Sequence, residues 1–289
     1  MIETRRSFLI KSAAAGTALA AKSNLLAELI HARELPLKVG VTDWNLQQEG
    51  KPSAIEVARK IGFEGVEVSL GVGTDRLPLA DPALQRRYLA ESAKQKITIA
   101  STCLNILHRN YLKSDPLGQR WLADSIPVSK ALGAKVILLP FFGKGALSNR
   151  AEIDRVADIL KEMAPAAEKA GVTLGVENTL SAEDNARILD RAKSKAVGIY
   201  YDVGNSTNGG FDVVKEIRWL GKDRICQFHF KDNPHYLGEG KVNFPAAVEA
   251  IAGIGYKGWV HLETDSPSKN IEADLARNLK FVHDLLAKA

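Results

Sequence analysis

Cysteine is scarce in this 289-residue chain: only Cys103 and Cys226 occur. So few thiols cannot make the disulfide framework of a small secreted scaffold or a Cys-rich structural zinc site. Both fall in short strand-like runs, where a free thiol behaves as a small buried hydrophobe. Lys and Arg number 39, but they form no cluster interleaved with aromatics of the kind that grips nucleic acid, so no nucleic-acid partner is expected. No apolar stretch is long enough for a stable membrane span. No Gly-rich phosphate fingerprint follows the first strand-like run, which argues against a dinucleotide-binding sheet. After Leu37 there is no Pro/Ser-rich linker and no shift in composition, so one domain is the economical reading. With 45% hydrophobic and 25% charged residues, the chain has the balance of a soluble globular protein.

The N-terminus is the one biased segment. Thr4-Arg5-Arg6-Ser7-Phe8-Leu9-Ile10-Lys11 precedes the small, apolar run 12–21, the basic region and short apolar region of a secretory signal. Paired arginines followed by Phe-Leu and then Lys resemble the twin-arginine export signal. That resemblance implies the twin-arginine export machinery as a partner and a periplasmic or otherwise exported location. Ala18-Leu19-Ala20 is a candidate cleavage site.

From Leu37 onward, short β-branched runs alternate with longer amphipathic runs. Eight strands are expected at 38–42, 65–70, 97–104, 135–140, 172–177, 197–202, 224–230 and 258–263. Helical periodicity appears at 53–61, 82–94, 153–169, 182–192 and 271–287, among others. Strand-helix alternation implies a parallel sheet, because each crossover needs a helix to return the chain. Strands buried on both faces of an open sheet read as continuous apolar runs. Here Val172-Thr173-Leu174-Gly175-Val176-Glu177 and Val197-Gly198-Ile199-Tyr200-Tyr201-Asp202 alternate instead, so one face of each is small or polar. That pattern fits a closed barrel with a functional mouth. The expected fold is a single (β/α)8 TIM barrel over residues 35–289, preceded by a signal peptide and short N-terminal segment over residues 1–34.

Barrel enzymes place their chemistry at the C-terminal ends of the strands. The informative residues there are Glu67, Glu177, Asp202, His229 and Glu263, with Asn105 and His108 just beyond the third strand. Carboxylates converging in a partly enclosed mouth repel one another, so a cation should offset them. The carboxylates of Glu177, Asp202 and Glu263 with the imidazole of His229 make a mixed oxygen and nitrogen set suited to one divalent ion. Mn²⁺ is the first expectation, with Mg²⁺, Co²⁺ or Zn²⁺ as alternatives. Lys231 lies two positions beyond His229 and so points to the same side of the strand. It would bind a substrate oxygen or pair with Asp232 or Glu263. Trp44 and Phe141 follow strands one and four, where an aromatic wall suits the apolar face of a sugar ring, and Phe141 reads equally as a buried core aromatic. Glu67 and His108 are candidate contacts for substrate hydroxyls.

The segments Gly175-Val176-Glu177-Asn178, Tyr201-Asp202-Val203-Gly204-Asn205, Phe228-His229-Phe230-Lys231-Asp232 and His261-Leu262-Glu263 resemble the strand-end motifs of the xylose-isomerase-like barrel superfamily. This group includes sugar isomerases, ketose 3-epimerases, inosose dehydratases and endonuclease IV. Leu237-Gly238-Glu239-Gly240-Lys241-Val242-Asn243-Phe244 is similar to the loop after the seventh strand in many members. The resemblance implies that Glu177, Asp202, His229 and Glu263 hold the metal and that Glu177 and Glu263 also act as acid and base. It implies a substrate-binding role for Glu183. Asn205 stands where epimerases often have a histidine, which alters the substrate contact there.

The implied reaction removes a proton next to a carbonyl and passes through a metal-stabilised enediolate. Returning the proton to the opposite face gives epimerisation, and returning it to the neighbouring carbon gives isomerisation. Loss of a β-oxygen would make the protein an exported lyase or hydratase of 3-keto glycosides. A sugar-binding barrel without catalysis is a further alternative. The fold does not choose among these.

Overall fold

The computed structural model describes residues 37–288; the export signal expected at residues 1–34 lies outside them. Eight parallel strands close into a barrel in chain order: β1 (Lys38–Thr42), β2 (Gly65–Ser69), β3 (Thr98–Cys103), β4 (Val136–Pro140), β5 (Thr173–Glu177), β6 (Val197–Asp202), β7 (Ile225–Phe230) and β8 (Trp259–Leu262). β8 pairs with β1 through Val39↔Val260 and Gly40↔His261. This is the expected (β/α)8 barrel, with every strand within one residue of its expected limits. Helices α1 (Ser53–Ile61), α2 (Pro82–Gln95), α3 (Pro116–Ala131), α4 (Arg150–Ala170) and α5 (Ala182–Ala192) follow the first five strands. α6 (Val203–Asn208) and α7 (Val213–Leu220) share the β6–β7 connection, and α8 (Phe244–Gly253) and α9 (Ile271–Leu286) complete the ring. Among the described residues no helix is long and apolar enough to cross a membrane.

The alternation along each strand assigns its two faces. Val39, Val41, Val66, Val68, Leu174 and Val176 point outward into the layer shared with the helices and are fully buried. The other parity fills the barrel, where small residues make room for large ones on neighbouring strands. A Cβ on Gly65 would lie 2.5 Å from the Trp259 ring, and one on Gly198 would lie 2.8 Å from Cys226 Cβ. Two register shifts adjust this interior, one opposite Val66/Glu67 and one opposite Ile199/Tyr200. The second leaves Cys226 unpaired, and its sulfur packs 3.0 Å from where a Gly175 Cβ would sit. Such shifts are common on barrel rims and beside active sites. Cys103 and Cys226 are free thiols on the strands expected to carry them.

Gly40 is the tightest of these positions. A methyl there would come within 2.6 Å of His261 Nε2, and Tyr200 Oη holds the other ring nitrogen at 2.9 Å. The ring cannot swing away without breaking that contact. Gly40→Ala is therefore expected to destabilise the barrel by about 1–3 kcal/mol, the usual penalty for overpacking a filled interior. Urea unfolding monitored by circular dichroism would check it; an unchanged midpoint would show that the interior can relax.

Candidate active site and metal centre

Four side chains converge at the C-terminal end of the barrel. Glu177 ends β5, Asp202 ends β6, His229 lies in β7 and Glu263 is one residue past β8. Asp202 and His229 are partners in register, and the Glu263 N–H continues the ladder by donating to the Phe230 carbonyl at 3.1 Å. Each offers one ligand atom, and these atoms all lie within 4.8 Å of one another. His229 Nδ1 faces the carboxylates, 3.0 Å from Glu177 Oε1, 3.4 Å from Glu263 Oε2 and 3.9 Å from Asp202 Oδ2. Asp202 also caps α6, where its Oδ1 accepts from the Asn205 N–H at 2.8 Å. Its second oxygen is thereby left facing the other ligands.

The charge balance at this point shows what the cluster lacks. Burial disfavours the charged form of Asp202 and lifts its pKa to about 7; Lys231 opposes that rise, while Glu177 and Glu263 add to it. Burial alone would keep His229 neutral, but the neighbouring Glu177 and Glu263 carboxylates hold its pKa well above the ordinary value. Lys231 Nζ bridges Glu263 Oε2 at 2.6 Å and Asp202 Oδ2 at 2.9 Å. Apart from that ion pair, Asp202 Oδ2 has no hydrogen-bond partner. The raised pKa of His229 and the Lys231 ion pairs both answer to three crowded carboxyl groups. A divalent ion fits the same need, because it would bring positive charge to His229 Nδ1 and take Asp202 Oδ2 as a ligand.

Beneath the cluster lies a buried polar network. Glu67 Oε1 is 3.4 Å from His229 Nε2, while Glu67 Oε2 accepts from Ser101 Oγ and from Tyr200 Oη. Burial would raise the Glu67 pKa, but the contact with His229 and that ring's positive charge outweigh it and hold the carboxyl low. His261, on the far side of Tyr200, is driven by burial to a pKa of about 4 and is a neutral partner. An outer carboxylate on the second nitrogen fixes the orientation of a ligating imidazole. Glu67→Ala is therefore expected to weaken divalent-metal binding by roughly 10- to 100-fold, with Glu67→Gln in between. Metal titration of chelator-treated protein reads this directly, and unaltered affinity in both variants would remove the role.

Above the cluster opens a cavity of about 430 Å³, within the usual range for small-molecule sites, roughly 300–1,000 Å³. Trp44, His108, Glu177, Asn205, Lys231 and Glu263 all line it. Trp44 stands edge-on to His229 with ring centroids 6.2 Å apart, and its indole N–H donates to Glu263 Oε1 at 3.3 Å. Asn205 Nδ2 reaches Glu177 Oε1 at 3.5 Å. His108 stacks on Phe142, with ring centroids 6.4 Å apart.

Three expected contacts lie elsewhere. Glu67 is completely buried under His229 and does not reach the cavity. It sits one inward step below the rim on β2, where Ser69 is the lining residue. Glu183 is exposed in the first turn of α5, whose buried face is Ala182, Asn185 and Ala186, and it does not line the cavity. Phe141 is buried in the core, and Phe142 supplies the aromatic wall. Phe142 shares the inward parity of Leu138 and Pro140, which also line the cavity. That parity was available in the sequence. Glu49, in the loop after β1, lines the cavity as well, and no local pattern announces it.

Two buried aspartates hold the rim loops. Asp43 accepts from the Ser69 N–H, the Ser69 hydroxyl and the Gly50 N–H at 2.7–3.0 Å. Asp232 accepts from the N–H groups of Gly238, Gly240, Lys241 and Val242 at 2.8–3.1 Å. The loop after β7 is thereby closed around a single carboxylate.

The named relatives are epimerases. The chain is 27% identical over 227 residues to 2-epi-5-epi-valiolone 7-phosphate 2-epimerase of Actinoplanes sp., covering 75% of this chain and 82% of that protein. It is 27% identical over 265 residues to L-ribulose-5-phosphate 3-epimerase UlaE of Escherichia coli, covering 81% of this chain and 89% of that protein. The D-allulose 3-epimerase of Methylomonas sp., solved in complex with D-allulose, superposes with a TM-score of 0.72 at 18% identity, over 86% of this chain and 97% of that one. This last likeness is one of fold. Residues 55–285 match the xylose isomerase-like TIM barrel family, and the chain belongs to it.

Proposed function

We propose that this protein is a divalent-metal-dependent epimerase or isomerase of a ketose or keto-sugar. The observation that carries the reading is the arrangement of two glutamates: Glu177 on β5 and Glu263 after β8 flank Asp202 and His229, and both open onto the cavity. A divalent ion held by Glu177, Asp202, His229 and Glu263 would act as a Lewis acid toward adjacent substrate oxygens. One glutamate takes the proton from the carbon next to the carbonyl, giving an enediolate, and the other returns a proton to the opposite face. Lys231, held between Asp202 and Glu263, keeps positive charge beside the substrate oxygens. The Trp44 N–H fixes one oxygen of Glu263 and leaves the other toward Lys231 and the ligand cluster. Trp44 and Phe142 give the apolar face of a sugar a surface to lie on and keep water from that side.

The epimerases among the relatives support proton return over elimination. Incubating metal-loaded protein with a panel of ketoses and 3-keto glycosides in deuterated water tests the reading by NMR. Deuterium on the carbon next to the carbonyl, without cleavage, is the expected result. Loss of an aglycone, or no exchange with any candidate, would refute it.

A further inference from the structure

Both curated relatives are named for phosphorylated substrates, whereas the barrel enzyme with bound D-allulose takes a free sugar. The cavity wall bears on which kind of substrate this chain accepts. Asn105 leads a short turn, Asn105–His108, directly after β3. Its side-chain oxygen accepts from the Gly71 N–H at 3.1 Å, which fixes the amide, and its Nδ2 donates to Glu49 Oε1 at 2.6 Å. Glu49, though exposed, is thereby held by Asn105 on the cavity wall.

The cations facing that wall are already committed. Lys231 is bound to Asp202 and Glu263. His108, exposed at the cavity edge, has its pKa lowered by burial against the pull of Glu263 and Glu49. Among the described residues, no other Lys, Arg or His lines this cavity. A phosphate at the free end of a bound sugar would meet the Glu49 carboxylate there, with no Lys or Arg free to pair with it. A hydroxyl at the same place could donate to Glu49 and accept from Asn105.

We propose that the Glu49–Asn105 pair is a specificity-determining subsite that selects an uncharged sugar terminus over a phosphorylated one. This rests on the epimerase reading above and narrows its substrate to free ketoses and uncharged keto-glycosides. Glu49 accepts a hydrogen bond from a terminal hydroxyl and rejects a phosphate dianion by like charge. Selectivity of this kind is built by opposing the wrong ligand as well as by binding the right one.

The test uses metal-loaded protein and matched pairs of a ketose and its terminal phosphate, such as ribulose with ribulose 5-phosphate and fructose with fructose 6-phosphate. Proton exchange in deuterated water gives kcat/KM for each member. The expected result is a preference of roughly tenfold or more for the uncharged member, a discrimination that a single charge contact can supply. Glu49→Lys should shrink or reverse that ratio, and Glu49→Gln should reduce it with less loss of activity on the free sugar. Equal or better exchange with the phosphorylated members would overturn the substrate class and leave the epimerase reading intact. A wild-type preference that persists unchanged in Glu49→Lys would overturn the assignment to Glu49. Exchange with neither member of any pair, and with none of the 3-keto glycosides of the wider panel, would overturn the epimerase reading itself.

Discussion

Glu177→Gln and Glu263→Gln, each assayed with excess divalent metal, are expected to lose at least about 100-fold in turnover while still binding substrate. The amide keeps the shape of the side chain and one oxygen that can reach a metal, but it can neither take up nor release the reacting proton. General acid-base groups contribute about 100- to 10,000-fold to rate, so the loss should appear in kcat more than in KM. The two variants should also differ from each other. If the glutamates serve opposite faces of the substrate carbon, one should retain exchange of the substrate proton in the forward direction and the other in the reverse. The environments already differ: Glu177 is almost fully buried beside His229 and Asn205, while Glu263 is partly exposed and held by Lys231 and Trp44. Near-normal turnover in both variants once metal is restored would make them ligands only, and the base would be sought at Lys231 or His108.

His229→Ala and Asp202→Asn are expected to lose divalent metal by more than the roughly 10- to 100-fold that removal of an outer partner costs. His229 supplies the only nitrogen of the set, and its Nε2 lies 3.4 Å from Glu67 below while Trp44 faces one edge of the ring. Asp202→Asn keeps the Oδ1 acceptor that caps α6 but discards the negative charge of the oxygen that faces Lys231 and the other three side chains. Asp202→Asn should stay folded, because it removes one of three crowded negative charges; circular dichroism checks the fold of His229→Ala, which instead loses a positive partner of those carboxylates. Elemental analysis after dialysis would read the loss; retention of a full equivalent of metal by both would separate the ion from this cluster.

The barrel and the ligand cluster were readable because both follow from a period of two. Thr173, Gly175 and Glu177 share one face of β5, and Val197 to Asp202 alternates in the same way, so the last inward residue of each strand could be counted from sequence. Strand ends in a barrel converge, and four ligand-type residues counted to the same end were expected to meet. The departures came where counting stopped one step short or where the contact is tertiary. Glu67 has inward parity, but Ser69 follows it on the same face and takes the rim. Phe142, not Phe141, continues the parity of Leu138 and Pro140. Glu183 follows helical periodicity, and a first-turn residue beside the buried Ala182 and ahead of the buried Asn185 and Ala186 turns to solvent. Glu49 is held at the wall by a hydrogen bond from Asn105, more than fifty residues away in sequence, and no local pattern encodes that.

The measurement that bears most directly on a metal-assisted proton transfer at Glu177, Asp202, His229 and Glu263 is reversible loss of substrate proton exchange. Protein treated with chelator should give no incorporation of deuterium from solvent into a ketose that the untreated protein exchanges. Adding back one equivalent of Mn²⁺, or of Co²⁺, Mg²⁺ or Zn²⁺, should restore exchange in wild type but not in His229→Ala. Exchange that survives complete removal of divalent metal, or returns equally in His229→Ala, would contradict the account.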